Sequence, residues 1–410
     1  MVPGPGREPA RDRIRRRPLR RLLFPHLAVF VLGAAALRLA VVPAEVCPPL
    51  EAPALRTAIG EAAAWLERGV RADGRYTYGY ERERDMISSD YNVTRHAGVM
   101  MSLYQLAART GDERALAAGE RGLRFLRANL VGHGDWTAFA EPGQDARLGA
   151  SALAVAALVH RRLATGNPED NDLIRALARF LVAQQQPDGS VLGVWSVRTG
   201  RPVAGEYSKF GTGEALWALA LVDRLFRGEG WDRPARRLAH YVATRRDDVE
   251  GYVLVFPDHW AAYGLAELGP SSLGEAEIAY ARRLAGAFGL MSRLEAQSGP
   301  SGLRRLFRGE PASGAGLGSI GEGVAALWRL SVVEPRLADL SDGLAERLRC
   351  RASRTVERQA DAAEASSWPR PDLIRGAWFS EDGYTQMDDQ QHSLSALLAT
   401  LPLIESGRNP

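Results

Sequence analysis

The stretch Gly211-Thr212-Gly213-Glu214-Ala215-Leu216-Trp217-Ala218-Leu219-Ala220 decides the fold. Past Glu214 the run is small and apolar on every face, the mark of a helix buried on most sides. Its first turn nevertheless carries polar residues. Five other segments share this plan: Asp90-Tyr91-Asn92-Val93-Thr94-Arg95-His96, Arg147-Leu148-Gly149-Ala150, Pro257-Asp258-His259-Trp260, Gly318-Ser319-Ile320-Gly321-Glu322 and Asp388-Asp389-Gln390-Gln391-His392. Each opens a small, apolar run such as Ala152-Leu153-Ala154-Val155-Ala156-Ala157-Leu158, and each follows a more amphipathic, Arg-rich helix.

The three-to-four spacing of apolar residues predicts outer helices at about 54–71, 112–130, 170–186, 232–246, 273–297 and 336–361. The charge-poor runs predict inner helices at about 91–109, 148–164, 211–226, 258–268, 319–331 and 389–404. Corresponding anchors (Asn92, Gly149, Gly213, His259, Gly321 and Gln391) are separated by 57, 64, 46, 62 and 70 residues. Arrays of this period are stacked supersecondary units. Twelve helices in six hairpins predict an all-α chain closed into an (α/α)6 toroid over 53–410, with the inner helices aiming their first turns at one shared pocket. Turns at Asp73-Gly74, Asp188-Gly189 and Asp382-Gly383 punctuate the array. Strand signals are limited to Val191–Trp195 and Tyr252–Phe256, and the long connections 187–210, 299–318 and 366–387 point to a functional face.

Composition is that of a globular protein, 46% apolar and 25% charged. The net charge of +3 is misleading. Residues 1–21 hold eight Arg against Glu8 and Asp12, a net of +6, so the rest of the chain carries −3. The body therefore lacks a nucleic-acid footprint. The basic tail (1–21) leads into an apolar segment (22–44) interrupted by Arg38, followed by a linker at 45–52. A basic flank before an apolar stretch is an export signature. It predicts a cytoplasmic tail, a signal anchor through the membrane and a domain on the periplasmic or extracellular side. A signal cleaved near Val42-Pro43-Ala44 is the alternative, and Arg16-Arg17-Pro18-Leu19 is a loose twin-arginine pattern. Export permits a disulfide between the two cysteines, Cys47 and Cys350, which the ring plan brings near each other; two free thiols are the other reading.

The helix starts supply the chemistry. Asn92, Arg95 and His96 fall at three-and-four spacing, with Asp90 and Tyr91 just before them. Arg95 suits a carboxylate clamp and His96 a proton carrier, while Asp90 or Asn92 also suits a cap. Glu214 and Glu322 open otherwise apolar helices, with Glu206 and Tyr207 upstream of the former. Asp258-His259-Trp260 joins a carboxylate, an imidazole and a stacking ring. In Asp388-Asp389-Gln390-Gln391-His392 adjacent carboxylates point to different faces, so one faces the pocket and the other caps. No HExxH pair or cysteine cluster fixes a metal geometry, and neither a metal nor another cofactor is expected. A Gly-rich phosphate loop and a nucleophile elbow are both missing, which excludes kinase, dinucleotide-binding and α/β-hydrolase classes.

These polar helix mouths on a twelve-helix ring resemble those of the six-hairpin toroid enzymes, a sugar-active superfamily of glycoside hydrolases, polysaccharide lyases and N-acylglucosamine 2-epimerases. The resemblance spans 53–405. Gln184-Gln185-Gln186-Pro187-Asp188-Gly189-Ser190 is also similar to a turn of the terpenoid-cyclase toroids, whose acidic motif is missing here. The resemblance implies a glycan substrate. Hydrolysis needs a protonated carboxylic acid and a second carboxylate, expected in Glu214 or Asp258 paired with Asp389. His96 and His392 are expected to assist, with Asp90, Tyr91, Asn92, Arg95, Tyr207, His259, Trp260, Glu322 and Gln391 binding substrate. A uronate-directed lyase or epimerase, with His96, His259 or His392 moving the proton, is the alternative. A non-catalytic glycan-binding subunit of an export system is a third.

Overall fold

The computed structural model describes residues 1, 19–41, 44–252 and 257–406. The expected cleavage motif, most of the basic tail and the strand expected at 252–256 lie wholly or largely outside them. The chain divides into two compact units, Met1–Glu45 with Gln297–Glu310, and Val46–Ala296 with Pro311–Pro410.

In the first unit, helix α1 (Leu19–Val41) forms where the anchor was expected, with exposed Leu27, Val29, Phe30 and Leu32. Among the described residues no helix is long and apolar enough to cross a membrane. Arg38 and the basic start of α1 interrupt the run, so a spanning anchor finds no support in the fold.

The second unit is built from hairpins that alternate outer and inner helices. They are α2 (Ala52–Arg68) with α3 (Val93–Thr110), α4 (Glu113–Ala128) with α5 (Leu148–Thr165), and α6 (Asn171–Ala183) with α7 (Gly211–Leu225). Next comes α8 (Asp232–Thr244), a short α9 (Arg246–Glu250), and α10 (His259–Leu268). Then follow α11 (Glu275–Gln297) and, across the short α12 (Gly302–Arg308) of the first unit, α13 (Ala315–Val333). Last are α14 (Ser341–Glu357), short α15 (Ala362–Ser366) and α16 (Pro371–Ile374), and α17 (Met387–Glu405). The inner helices pack in the cyclic order α3, α5, α7, α10, α13, α17 and back to α3, so the ring is closed. Outer α2 seals the seam against α17 and α14.

Composition explains which helices lie inside. Every residue from Leu148 to Val159 on α5 is buried, as is every residue from Gly211 to Val222 on α7. Outer α4 and α8 bury one stripe each. Small residues let inner helices approach closely. At Gly318 a Cβ would stand 2.2 Å from the backbone carbon of His392, so only glycine allows α13 and α17 this contact. One turn later Glu322 faces His392.

Short antiparallel strands decorate the loops at the inner-helix starts. β1 (Gly79–Glu81) pairs with β2 (Met86–Ile87); β3 (Leu130–His133) pairs with β4 (Trp136–Phe139); β5 (Ala146–Arg147) pairs with β6 (Val194–Ser196), and β6 with β7 (Arg201–Pro202). β8 (Tyr384–Gln386) pairs with β1, with Gly79 opposite Gln386, so the first and last hairpins also meet in a sheet. The strand expected at 191–195 is realised at Val194–Ser196. Cys47, ahead of α2, is disulfide-bonded to Cys350 of α14, which joins the first and last outer elements covalently across 303 residues.

Candidate active site

The starts of all six inner helices converge on one cavity of about 710 Å³, lined by Asn92 and Arg95 (α3), Gly149 (α5), Glu214 (α7), His259 and Trp260 (α10), Ser319 (α13), and Asp388, Gln391 and His392 (α17). The loop before α7 adds Glu206, Tyr207, Lys209 and Phe210, and α11 adds Phe288 and Met291. A cavity of this size, part apolar and part charged, suits a ligand of one or a few rings.

On one wall, His392 Nδ1 lies 2.5 Å from Glu322 Oε2, and Nε2 lies 3.7 Å from Asp388 Oδ1. Glu322 has no exposed surface, and Tyr263 donates its hydroxyl to Oε1 at 3.4 Å. Burial pulls the His392 imidazole down, but Glu322, Asp388 and Asp389 outweigh it and raise it to about 9. Burial likewise raises Glu322, against the opposing pull of His392. The buried pair therefore holds one proton between them through neutral pH. The His259 ring stands edge-to-face on His392, with centroids 5.0 Å apart. Burial and the neighbouring His392 charge push it well below the ordinary histidine range, so it is neutral. His259 Nε2 makes no hydrogen bond among the described residues and sits 3.6 Å from Glu322 Oε2. Trp260 packs beside both rings.

Donor atoms of His259, Glu322 and His392 all lie within 4.8 Å of one another, which is the spacing of a metal-binding set. The same lone pairs already serve the His392–Glu322 hydrogen bond, so a cation would have to displace that proton.

Glu214 faces the cavity and its carboxyl makes no hydrogen bond among the described residues. Burial, then the Asp258 and Asp388 carboxylates, raise it to about 8, so it is a neutral acid at pH 7. Gly149 makes room for it: a Cβ there would stand 2.0 Å from Glu214 Oε2. Arg95 is anchored by Asp388 (Nε–Oδ2 3.4 Å) and donates to Gln386 Oε1 at 2.5 Å and to the Tyr78 hydroxyl.

Several residues expected at the pocket stand elsewhere. Asp258 is fully buried as the cap of α10, accepting from Trp260 N and Ala261 N, and is ion-paired at 2.6 Å with the equally buried Arg246. Of the adjacent acids, Asp388 faces the cavity, while Asp389 accepts from Gln386 N at 2.9 Å in the capping box of α17. The carboxylate pairs expected for hydrolysis are therefore not assembled around the cavity; Glu214 and Asp388 are the acids that line it from the inner helices. His96 is turned into the core, held by the Tyr91 hydroxyl at Nδ1 (2.6 Å) and Gly122 O at Nε2 (3.0 Å) among Tyr76, Phe125 and Phe139. Burial lowers it to about 3. Tyr91 supports His96, and Asp90 is exposed away from the cavity with its N–H on Ser88 Oγ. Asn92 both caps α3 and lines the cavity. Arg147, Lys209, Phe210, Phe288 and Met291 line it without having been singled out as site residues. Only Arg147, immediately ahead of an inner helix, carried a sequence signal.

No protein-family model and no curated protein sequence matches the chain. Solved structures do. The cellobiose 2-epimerase of Spirochaeta thermophila DSM 6192 superposes with a TM-score of 0.61 at 14% identity, covering 86% of this chain and 98% of that one. A sugar epimerase from a ruminal bacterium gives 0.62 at 11% identity, over 88% and 100%. The α-1,6-mannanase of Salegentibacter sp. HEL1_6 gives 0.58 at 11%, over 85% and 99%. At these identities the likeness is one of fold. The chain has the (α/α)6 toroid shared by these carbohydrate-active enzymes, with no single family assigned.

Proposed function

We propose that the protein is a sugar-active enzyme that moves a proton at the carbon next to a sugar carbonyl, as a 2-epimerase or aldose–ketose isomerase. The observation that carries this reading is the His259–His392 pair: two touching imidazoles on one cavity wall, one neutral and one protonated. Neutral His259 suits removal of the C2 proton of an open-chain sugar. Protonated His392 suits donation to the carbonyl oxygen, giving an enediol that collapses to epimer or ketose when a proton returns to carbon. Glu322 orients His392 and balances its charge. Structural neighbours described as a cellobiose 2-epimerase and a D-mannose isomerase support the reaction class. The test is incubation with reducing disaccharides in heavy water. Deuterium at C2 of the epimer, or at C1 of the ketose, is expected, and its loss in His259→Ala and His392→Ala.

Hydrolysis is the second reading, favoured by Glu214, a neutral acid facing the cavity, with Asp388 as the other carboxylate. It predicts new reducing ends and no deuterium uptake. An unsaturated, ultraviolet-absorbing end would mark a lyase. We further propose that the domain works outside the cytoplasm, directed there by its basic and apolar N-terminal segment. The Cys47–Cys350 disulfide supports an oxidising compartment.

A further inference from the structure

A second hollow of about 540 Å³ adjoins the central cavity and shares Asn92, Thr94 and Arg147 with it. Its walls are polar: Tyr91, Gln144 and Ser196 are joined by two acids and two arginines. Both acids are engaged. Glu141 is ion-paired with Arg75 at 2.6 Å, and Asp145 accepts from Val197 N at 2.9 Å. Arg147 and Arg198 are both exposed, and neither has an acidic partner among the described residues. Arg147 also stands directly ahead of α5, whose first turn holds no acid and whose cap lacks a side-chain hydrogen bond. That helix start adds partial positive charge beside the guanidinium.

We propose that this hollow is a subsite for an anionic residue of a sugar chain, gripped by Arg147 and Arg198 while the reacting residue occupies the central cavity. The inference rests on the sugar-active reading above. It specifies the substrate class as an acidic oligosaccharide of at least two residues, bearing a uronate, sulfate or phosphate on the unit outside the central cavity. Planar guanidiniums suit such groups because they offer paired donors to two oxygens at once. The shared residues Asn92, Thr94 and Arg147 form the threshold the chain crosses.

The experiment is calorimetric titration with oligogalacturonides of three to six residues and with neutral cello-oligosaccharides of the same lengths, at low and high salt. Acidic chains are expected to bind at least tenfold more tightly than neutral ones at low salt. Arg198→Ala and Arg147→Ala are each expected to narrow that difference at least fivefold, and high salt to erase most of it. Equal affinity for acidic and neutral chains overturns the proposal, as does an acidic preference that survives both substitutions. His392→Ala separates the two readings: it is expected to abolish turnover and retain the acidic preference. Binding of acidic chains without any proton exchange sinks the epimerase assignment alone. Failure of every oligosaccharide to bind sinks both.

Discussion

His392 Nδ1 and Glu322 Oε2, 70 positions apart in the chain, meet at 2.5 Å beneath the cavity because Gly318 lets their two helices touch. The carboxylate raises the imidazole to about 9 against an ordinary value of 6.5. A raised base stabilises the fold fully below 6.5, and that contribution is lost as pH climbs through 9. Activity that needs the imidazolium falls over the same limb. Glu322→Gln is expected to move that limb toward neutral pH and to cut kcat by roughly 10²–10⁴-fold. A pH–rate profile of both proteins checks this.

Glu214 acts in the same direction on stability at high pH. Its carboxyl ionises near 4.5 in the unfolded chain and near 8 in the fold. Stability present below 4.5 therefore drains away as pH rises through 8. Glu214→Gln carries no charge to bury. It is expected to melt with the native protein in acid and above it at alkaline pH, by on the order of 2 °C or more. Thermal melts across pH decide.

Gly318→Ala is expected to damage the site through the backbone. The added Cβ meets the His392 carbonyl carbon at 2.2 Å, so α13 must shift away from α17. Such overpacking costs about 1–3 kcal/mol. It also parts Glu322 from His392, so the alkaline limb should fall as in Glu322→Gln. A stability loss with an unchanged pH profile would contradict the coupling.

Arg246→Ala tests the assignment of Asp258 to architecture. Both partners are fully buried, and Arg246 also holds Glu250 at 3.0 Å and Lys209 O at 2.7 Å. Removing one member of a buried pair costs about 3–5 kcal/mol. Denaturant unfolding should show that loss.

Cys350→Ser removes the covalent tie across the ring seam. A bridge spanning 303 residues restrains the unfolded chain strongly. The expected loss is about 2–5 kcal/mol, matched by adding reductant to the native protein.

The ring was legible because inner and outer helices differ in composition. The inner helix expected at 148–164 runs Leu148–Thr165, and that expected at 211–226 runs Gly211–Leu225. The long runs of Ala and Leu leave no face for water. The site was only half legible. Three-and-four spacing put His96 with Asn92, but Asn92 is an extended cap residue (φ −145°) outside the helix, so the spacing does not apply across it. Asp388 and Asp389 differ by one helical step, and a single backbone N–H, that of Gln386, decides which one caps. Asp258 could be read as acid or cap; the distant Arg246 that engages it belongs to another helix. Four-residue strands such as Trp136–Phe139 are too short to leave an alternation in the letters.

The seam has a consequence for chain connectivity. Arg56 near the start of the ring and Glu405 at its end form a 2.6 Å ion pair, with α2 packed along α17. The order of the hairpins around the circle is therefore fixed, whereas the point at which synthesis begins is arbitrary. A circular permutant that links residue 405 to residue 52 and opens at the exposed Arg227–Gly230 turn keeps every inner neighbour, and should regain the same cavity.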